Sequence, residues 1–276
     1  MKNIIAIQGA EGSNHHKIAR DFYGVDIQLK ECMSFDVLVA SLLDNSASLG
    51  VMALENTIAG SIIPNYALID TNNLHIIGEK YLNIHHHLMA LKDQEINDIT
   101  EVWSHPMALL QCKEFFKKYP HIKLVEDVDT AEVAKRISKE KLIGIAAIAP
   151  KIAAEIFDLA IIEDEIQTIK DNSTRFVIVQ TDEPKLNKDV NKASIKFQLS
   201  HKRGSLAAIL NVLSDCKMNL TKIQSLPVIE TPWKYSFFVD VTFEDYSAYK
   251  KAKSLIEIMA EEFKILGTYK NGRNKL

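Results

Sequence analysis

Through the first 180 residues, apolar and polar positions recur in one order. A short apolar run ends in small or polar residues, and a stretch with helical spacing follows. Residues 3–8 (NIIAIQ) lead into GAEGSNHHKIARDF, and residues 50–54 (GVMAL) into ENTIAGSIIPNYALI. Residues 99–103 (ITEVW) lead into SHPMALLQCKEFF, 122–126 (IKLVE) into DVDTAEVAKRI, and 142–147 (LIGIAA) into IAPKIAAEIF. Strands alternating with helices predict α/β layers with mostly parallel sheet. Ser61, Ser104 and Asp129 or Thr130 sit where a helix N-cap is needed, and Pro64 and Pro106 fall in first turns, where a missing N–H is tolerated. In such sheets, strand C-termini and helix N-termini share a crevice that gathers unpaired N–H groups, so the layout predicts an anionic ligand.

Residues 181–192 (TDEPKLNKDVNK) are polar and without apolar periodicity, which reads as a linker. Beyond them the pattern changes. Ile195, Phe197 and Leu199 alternate with polar partners; Leu206, Ile209, Leu210 and Leu213 share a helical face. A second strand region (NLTKIQSLPVI) and a third (KYSFFVDVTF) follow, then a helix with Ala252, Leu255, Ile256 and Met259 on one side, then a closing strand, ILGTYK. The order over residues 193–270 is β-α-β-β-α-β, a ferredoxin-like arrangement. The tail NGRNKL reads as frayed.

At 276 residues the chain is long for one core and comfortable for two domains. Its 47% apolar and 25% charged content is that of a globular protein, and no apolar run reaches the roughly 18–20 residues of a membrane span. Cys32, Cys112 and Cys216 have neither metal nor disulfide spacing, which predicts a reduced, cytoplasmic location. The net charge of −3 gives no footprint for nucleic acid. With so few arginines (Arg20, Arg136, Arg175, Arg203 and Arg273), an anion must be held by local groups rather than by the overall field.

Six segments now lie in a telling order: GAEGSNHH at 9–16, ALENTIAGS at 53–61, SHPMALLQC at 104–112, DTAEVA at 129–134, GIAAIAP at 144–150 and NSTRF at 172–176. With them the first 180 residues resemble prephenate dehydratase, and the last 80 resemble the ACT domain attached to that enzyme. The resemblance implies a catalytic domain over 1–182 of two α/β lobes, similar to type II periplasmic-binding proteins. Lobe one would take about 1–76 and 165–182, and lobe two about 77–164. An ACT domain over 193–270 would follow. It further implies decarboxylating dehydration of prephenate to phenylpyruvate with no cofactor and no metal. The expected effector is L-phenylalanine, and the expected assembly a homodimer or homotetramer.

Dehydratase chemistry needs a donor at the leaving hydroxyl and anchors for two carboxylates. The resemblance puts Thr174 nearest that hydroxyl, as donor or relay; read alone, it is more readily a strand-edge or capping threonine. Arg175 is the natural carboxylate clamp or else a surface or interlobe salt bridge; strand alternation would set it opposite Thr174, a rule the fold can override. Phe176 reads chiefly as packing beside the site. Glu55 is either a general acid or a carboxylate holding a helix start. Asn56, Thr57, Ser61, Ser104, His105 and Thr130 are expected to bind substrate, with Ser13 and Gly12 shaping the first-lobe wall. Met107 replaces a glutamine common in the family, and Pro150 a residue that is often serine. His85 and His87 share one strand face without a third ligand, which argues against a metal. Of His15 and His16, one is a candidate to touch substrate. In the C-terminal half the resemblance places effector contacts at Gly204, Ser205, Leu206, Asn219, Leu220 and Ser225. There, Gln224-Ser225-Leu226-Pro227 departs from the usual Glu-Ser-Arg-Pro. Two other functions stay open: an arogenate dehydratase, and a non-enzymatic amino-acid sensor on the same scaffold.

Overall fold

The structure, a computed structural model, describes residues 4–185, 189–228, 231 and 234–273. Part of the expected linker (186–188), the end of the tail (274–276), Asn3 and Ile229 lie outside the described residues.

The elements run β1 (Ile4–Gln8), α1 (Asn14–Tyr23), β2 (Gln28–Cys32), α2 (Phe35–Leu43), β3 (Leu49–Asn56), β4 (Gly60–Ser61), α3 (Ile63–Thr71), β5 (His75–Asn83) and β6 (His87–Ala90). Then come β7 (Glu101–Ser104), α4 (Pro106–Phe116), β8 (Lys123–Glu126), α5 (Thr130–Glu140), β9 (Ile145–Ala149), α6 (Lys151–Phe157), β10 (Ala160–Glu163) and β11 (Ser173–Gln180). The chain ends with β12 (Lys192–Gln198), α7 (Ser205–Asp215), β13 (Asn219–Pro227), β14 (Tyr235–Thr242), α8 (Tyr246–Met259) and β15 (Glu262–Tyr269). Two compact units result: residues 1–65 with 81–176, and residues 66–80 with 177–276.

Residues 4–180 contribute two sheets. One has the order β2-β1-β3-β11-β5, with β4 hanging from β3; β1 pairs in parallel with β2 and β3. The other has the order β10-β6-β9-β7-β8. Here β7 is parallel to β8 and β9, whereas β6, on which the chain enters the sheet, runs antiparallel to both of its neighbours, β9 and β10. The expectation of mostly parallel sheet therefore holds for the pairings of β7, β8 and β9 and not for those of β6. Alternation along β9 covers both faces: Ala146 and Ile148 pack with Leu109, Cys112 and Phe116 of α4, while Ala147 and Ala149 pack with Val133 and Ile137 of α5 and Ala153 of α6.

In the second unit, β12 to β15 form an antiparallel sheet of order β13-β14-β12-β15. Ile195, Phe197, Val239 and Val241 meet Ile209 and Leu213 of α7 and Ile256 of α8. Residues 66–80 are pinned to this sheet. Lys192 Nζ lies 2.8 and 2.9 Å from the two oxygens of Glu79, with both side chains buried. Lys196 and Lys264 reach Asp70 at 2.7 and 3.0 Å. Gly267 permits the approach of β5: a Cβ there would lie 2.1 Å from the Ile76 carbonyl oxygen. The tail is held as far as it is described, since Asn271 N–H donates to Asn191 Oδ1 (2.7 Å) and Gly272 N–H to Glu79 Oε1 (3.1 Å).

No helix among the described residues is long and apolar enough to cross a membrane.

Candidate active site

Three helix starts of the first unit open onto one cavity of about 320 Å³. Ser13, the N-cap of α1, accepts from His16 N–H; Asp129, the N-cap of α5, accepts from Ala131 and Glu132 N–H, both at 2.9 Å. At α4 the expected cap, Ser104, yields to its neighbour: His105 Nδ1 accepts from Met107 N–H at 3.2 Å. Pro106 stands at the start of α4 and Pro64 in the first turn of α3, both positions without an intrahelical N–H bond to lose. The remaining wall comes from Asn56 at the end of β3, from Thr174 and Phe176 on β11, and from His86 and Gln111. Among the described residues that line it there is neither lysine nor arginine.

A polarised chain of amides runs along this wall. Asn56 Oδ1 accepts from the N–H groups of Ile58 (2.9 Å) and Ala59 (2.8 Å) in the tight connection between β3 and β4. Its Nδ2 therefore donates, to Asn172 Oδ1 at 2.6 Å and to Thr174 Oγ1 at 2.9 Å. Asn172 Nδ2 passes the polarity on to Gln111 Oε1 at 3.1 Å, and His86 Nε2 lies 2.8 Å from that same oxygen. The consequence at Thr174 is chemical. Its oxygen takes a hydrogen bond from Asn56, so its own O–H is left to donate.

The structure thus gathers Ser13, Asn56, His105, Thr130, Thr174 and Phe176 around one space. It does not bring the other predicted residues to that wall. Arg175 is 1% exposed and alternates with Thr174 and Phe176, as the pleat of β11 dictates. Ser104 is fully buried, and its Oγ donates to the Ile148 carbonyl at 2.7 Å. Thr57 secures the motif strand instead: its Oγ1 accepts from Ser173 N–H at 2.9 Å, and its N–H donates to Ser173 O at 2.9 Å. Glu55 faces Ser61 across the β3–β4 pair, so ENTIAGS forms a short hairpin and the helix starts later, at Ile63.

Among the wall residues that escaped the sequence reading are His86, Gln111, Asn172 and, as more than a cap, Asp129. Burial holds the Asp129 carboxyl above its ordinary range, against the lowering influence of the Glu132 and Ala131 N–H groups. Gly9, at φ +86°, leaves room for it; a Cβ there would lie 2.6 Å from Asp129 Oδ2. His15 also lines the cavity. It packs edge-on against Phe176 and Phe35, its buried Nε2 has no partner, and burial drops its pKa to about 4. His16 accepts from Gly12 N–H, and burial first, then Arg20, lowers its pKa to about 4.

The neighbouring histidines divide between two spaces. His86 turns to this cavity, while His85 and His87, with ring centroids 6.5 Å apart, line a larger one of about 420 Å³ together with Lys17, Arg20 and Lys151. His85 pairs with Glu165 (3.3 Å) and His87 with Asp164 (2.9 Å). The smaller cavity is the better candidate because converging donors and a hydroxyl of fixed polarity meet there. In the second unit, Ser205 and Leu206 line a pocket of about 130 Å³ beside Ser200, His201, Lys234 and Tyr235. Gly204, Asn219, Leu220 and Ser225 are not part of its lining, the last three lying on the edge strand β13.

Two sheets with helix N-termini and polar side chains converging on one open cavity define an α/β protein built around a small polar ligand. Comparison with known proteins narrows that class. A family model described as prephenate dehydratase matches residues 5–184. The bifunctional chorismate mutase/prephenate dehydratase of Buchnera aphidicola subsp. Acyrthosiphon pisum (strain APS) is 30% identical over 266 residues, 95% of this chain and 69% of that protein. The chloroplastic arogenate dehydratase/prephenate dehydratase 2 of Arabidopsis thaliana is 34% identical over 280 residues, 96% of this chain and 72% of that one. In fold, the crystal structure of prephenate dehydratase from Arthrobacter aurescens in complex with L-Phe matches at a TM-score of 0.83, covering 98% of this chain and 90% of that one at 22% identity. The chain belongs to the prephenate dehydratase family.

Proposed function

We propose that the protein converts prephenate to phenylpyruvate, carbon dioxide and water, with Thr174 as the hydrogen-bond donor to the leaving hydroxyl. One observation carries the reading: the Thr174 oxygen is occupied by Asn56 Nδ2, so its proton points away from the amide chain at the wall of the cavity. In the reaction, the bond between the ring and its carboxylate breaks and that electron pair enters the ring. The ring hydroxyl departs and, with one proton taken up, leaves as water. A threonine is too weak an acid to supply that proton outright, so its part is to stabilise charge developing on the departing oxygen. Donors at the starts of α4 and α5, His105 and Thr130 among them, anchor the carboxylates. Arg175, one position from Thr174, contributes its positive charge from behind the wall, and Glu55 supports the hairpin that holds Asn56. Asn56 itself orients Thr174; Thr57, Ser61, Ser104 and Ser13 shape the site. The catalytic half consists of two lobes resembling type II periplasmic-binding proteins, and it needs no cofactor or metal.

The order β12-α7-β13-β14-α8-β15 supports reading the C-terminal half as a ferredoxin-like ACT domain. Its effector is L-phenylalanine, bound at residues including Gly204, Ser205, Leu206, Asn219, Leu220 and Ser225 in a homodimer or homotetramer. The protein works in the cytoplasm. A second substrate has one observation in its favour: the Asp129 carboxyl lines the cavity and would suit the ammonium of arogenate. Purified protein is to be given prephenate and arogenate side by side, with phenylpyruvate followed by its absorbance in base and phenylalanine by chromatography. Release of phenylpyruvate from prephenate supports the primary reading. Turnover of arogenate alone replaces it with the second, and turnover of neither removes both.

A further inference from the structure

The amide chain that fixes Thr174 has an unused far end. Each link leaves no choice to the next. Backbone N–H groups can only donate, so Ile58 and Ala59 force Asn56 Oδ1 to accept. Asn56 then donates to Asn172 Oδ1, and Asn172 donates to Gln111 Oε1. A reversed Gln111 amide would set its NH2 against that of Asn172. Because Gln111 Oε1 is an acceptor, the His86 nitrogen 2.8 Å away must carry a hydrogen. His86 is therefore an Nε2–H tautomer whose Nδ1 holds a lone pair, and that buried Nδ1 has no partner. The ring has little freedom to leave. The His86 N–H donates to Gln167 Oε1 at 2.9 Å and its carbonyl accepts from Ile166 N–H at 2.8 Å, while the residue is 7% exposed.

We propose that His86 is a positioning residue for the reaction: as a neutral Nε2–H donor it locks the Gln111 carboxamide with its NH2 turned to the cavity, where that NH2 holds an oxygen of the substrate. The proposal rests on the dehydratase reading given above. Two donors saturate Gln111 Oε1, one on each lone pair, so the oxygen is withdrawn from the cavity and the NH2 is what remains to be offered. For a doubly negative substrate in a wall without lysine or arginine, the sense of that amide decides between attraction and repulsion. Burial, which favours the neutral ring, lowers the His86 pKa against the raising influence of its hydrogen bond to Gln111.

Two measurements test this. The first needs no turnover: long-range ¹H–¹⁵N spectra of the histidine rings should show His86 as the Nε2–H tautomer, and an Nδ1–H tautomer or an imidazolium near neutral pH would overturn the proposal. The second compares His86→Gln, His86→Asn and His86→Leu by steady-state kinetics and thermal unfolding. A glutamine amide reaches the position of Nε2, whereas an asparagine amide reaches only that of Nδ1. His86→Gln should keep kcat/KM within a few-fold of the parent, and the other two should lose about 10–100-fold, chiefly in KM. A purely structural role would give equal losses in all three variants, tracking their unfolding temperatures, and that pattern also rejects the idea. Should the parent turn over neither prephenate nor arogenate, the dehydratase reading fails by itself, and the tautomer spectrum still decides whether His86 locks Gln111.

Discussion

Asn56 Nδ2 and Thr174 Oγ1 stand 2.9 Å apart, with the amide as donor and the hydroxyl as acceptor. The polarity of that contact originates in two backbone N–H groups of the β3–β4 connection and ends as a hydroxyl proton available to a ligand. Removing the donor while keeping the shape, in Thr174→Val, should lower kcat by about 10²–10³-fold. Thr174→Ser should stay near the parent. Asn56→Asp is the sharper probe: a carboxylate still satisfies Ile58 and Ala59 but cannot donate, so Thr174 would turn its proton back toward residue 56. Its kcat should fall nearly as far as that of Thr174→Val, as read by phenylpyruvate formation.

Gly9 lies at φ +86°, in the left-handed region, with Asp129 Oδ2 in the space a Cβ would take. Gly9→Ala therefore combines backbone strain with a steric push on the α5 cap. A loss of about 1–3 kcal/mol is expected from the backbone alone, and urea denaturation with an unchanged m value would show it.

His15 makes stability depend on pH in a definite direction. Its folded pKa of about 4 lies below the ordinary 6.5, so on acidification the unfolded chain takes up the proton first. The contribution is complete above 6.5 and is lost as pH falls from there to about 4, amounting to at most about 3 kcal/mol. His16, also buried, pulls in the same direction. Urea midpoints taken near neutrality and near pH 5 should differ for the parent, and His15→Phe, which suits the rings of Phe35 and Phe176, should shrink that difference.

Lys192 and Glu79 form a buried ion pair between residues far apart in sequence. Removing one charge takes a close buried partner from the other, so Glu79→Leu or Lys192→Met alone should cost about 3–5 kcal/mol. The double variant should recover most of that loss. A double-mutant cycle of urea midpoints gives the comparison, and additive losses would show that the two side chains do not act as a pair.

Much of this was legible in the residues. Apolar runs located β1, β3 and β8, and NSTRF marked the strand that carries Thr174. Alternation along that strand pointed Arg175 away from Thr174 and Phe176, as it lies, but that rule was set aside in favour of a carboxylate clamp. What escaped has physical reasons. Strand β2 (QLKEC) is half-exposed and carries charge, so its period of two is blurred, and β5 (HIIGEKYLN) has a glycine and charges in its middle. The antiparallel pairing of β6 and β10 depends on where the chain crosses between sheets, which no local pattern encodes. Gln111 could have been found: helical spacing from Met107 and Ala108 puts it on their face of α4. His86 could not, because its significance lies in the direction of a hydrogen bond received through three amides from distant segments.

The close fit of Gly267 against the Ile76 carbonyl has a practical consequence for anyone exchanging modules between relatives. The matched family region stops at residue 184, yet residues 66–80 pack as an inlay with the sheet that follows it. A graft of the C-terminal half alone would seat a foreign sheet on the host's own inlay, where one extra methyl group on the strand has no room. Transplants that carry the inlay along with its sheet keep that surface matched, and the workable crossover points are therefore two, one on each side of it.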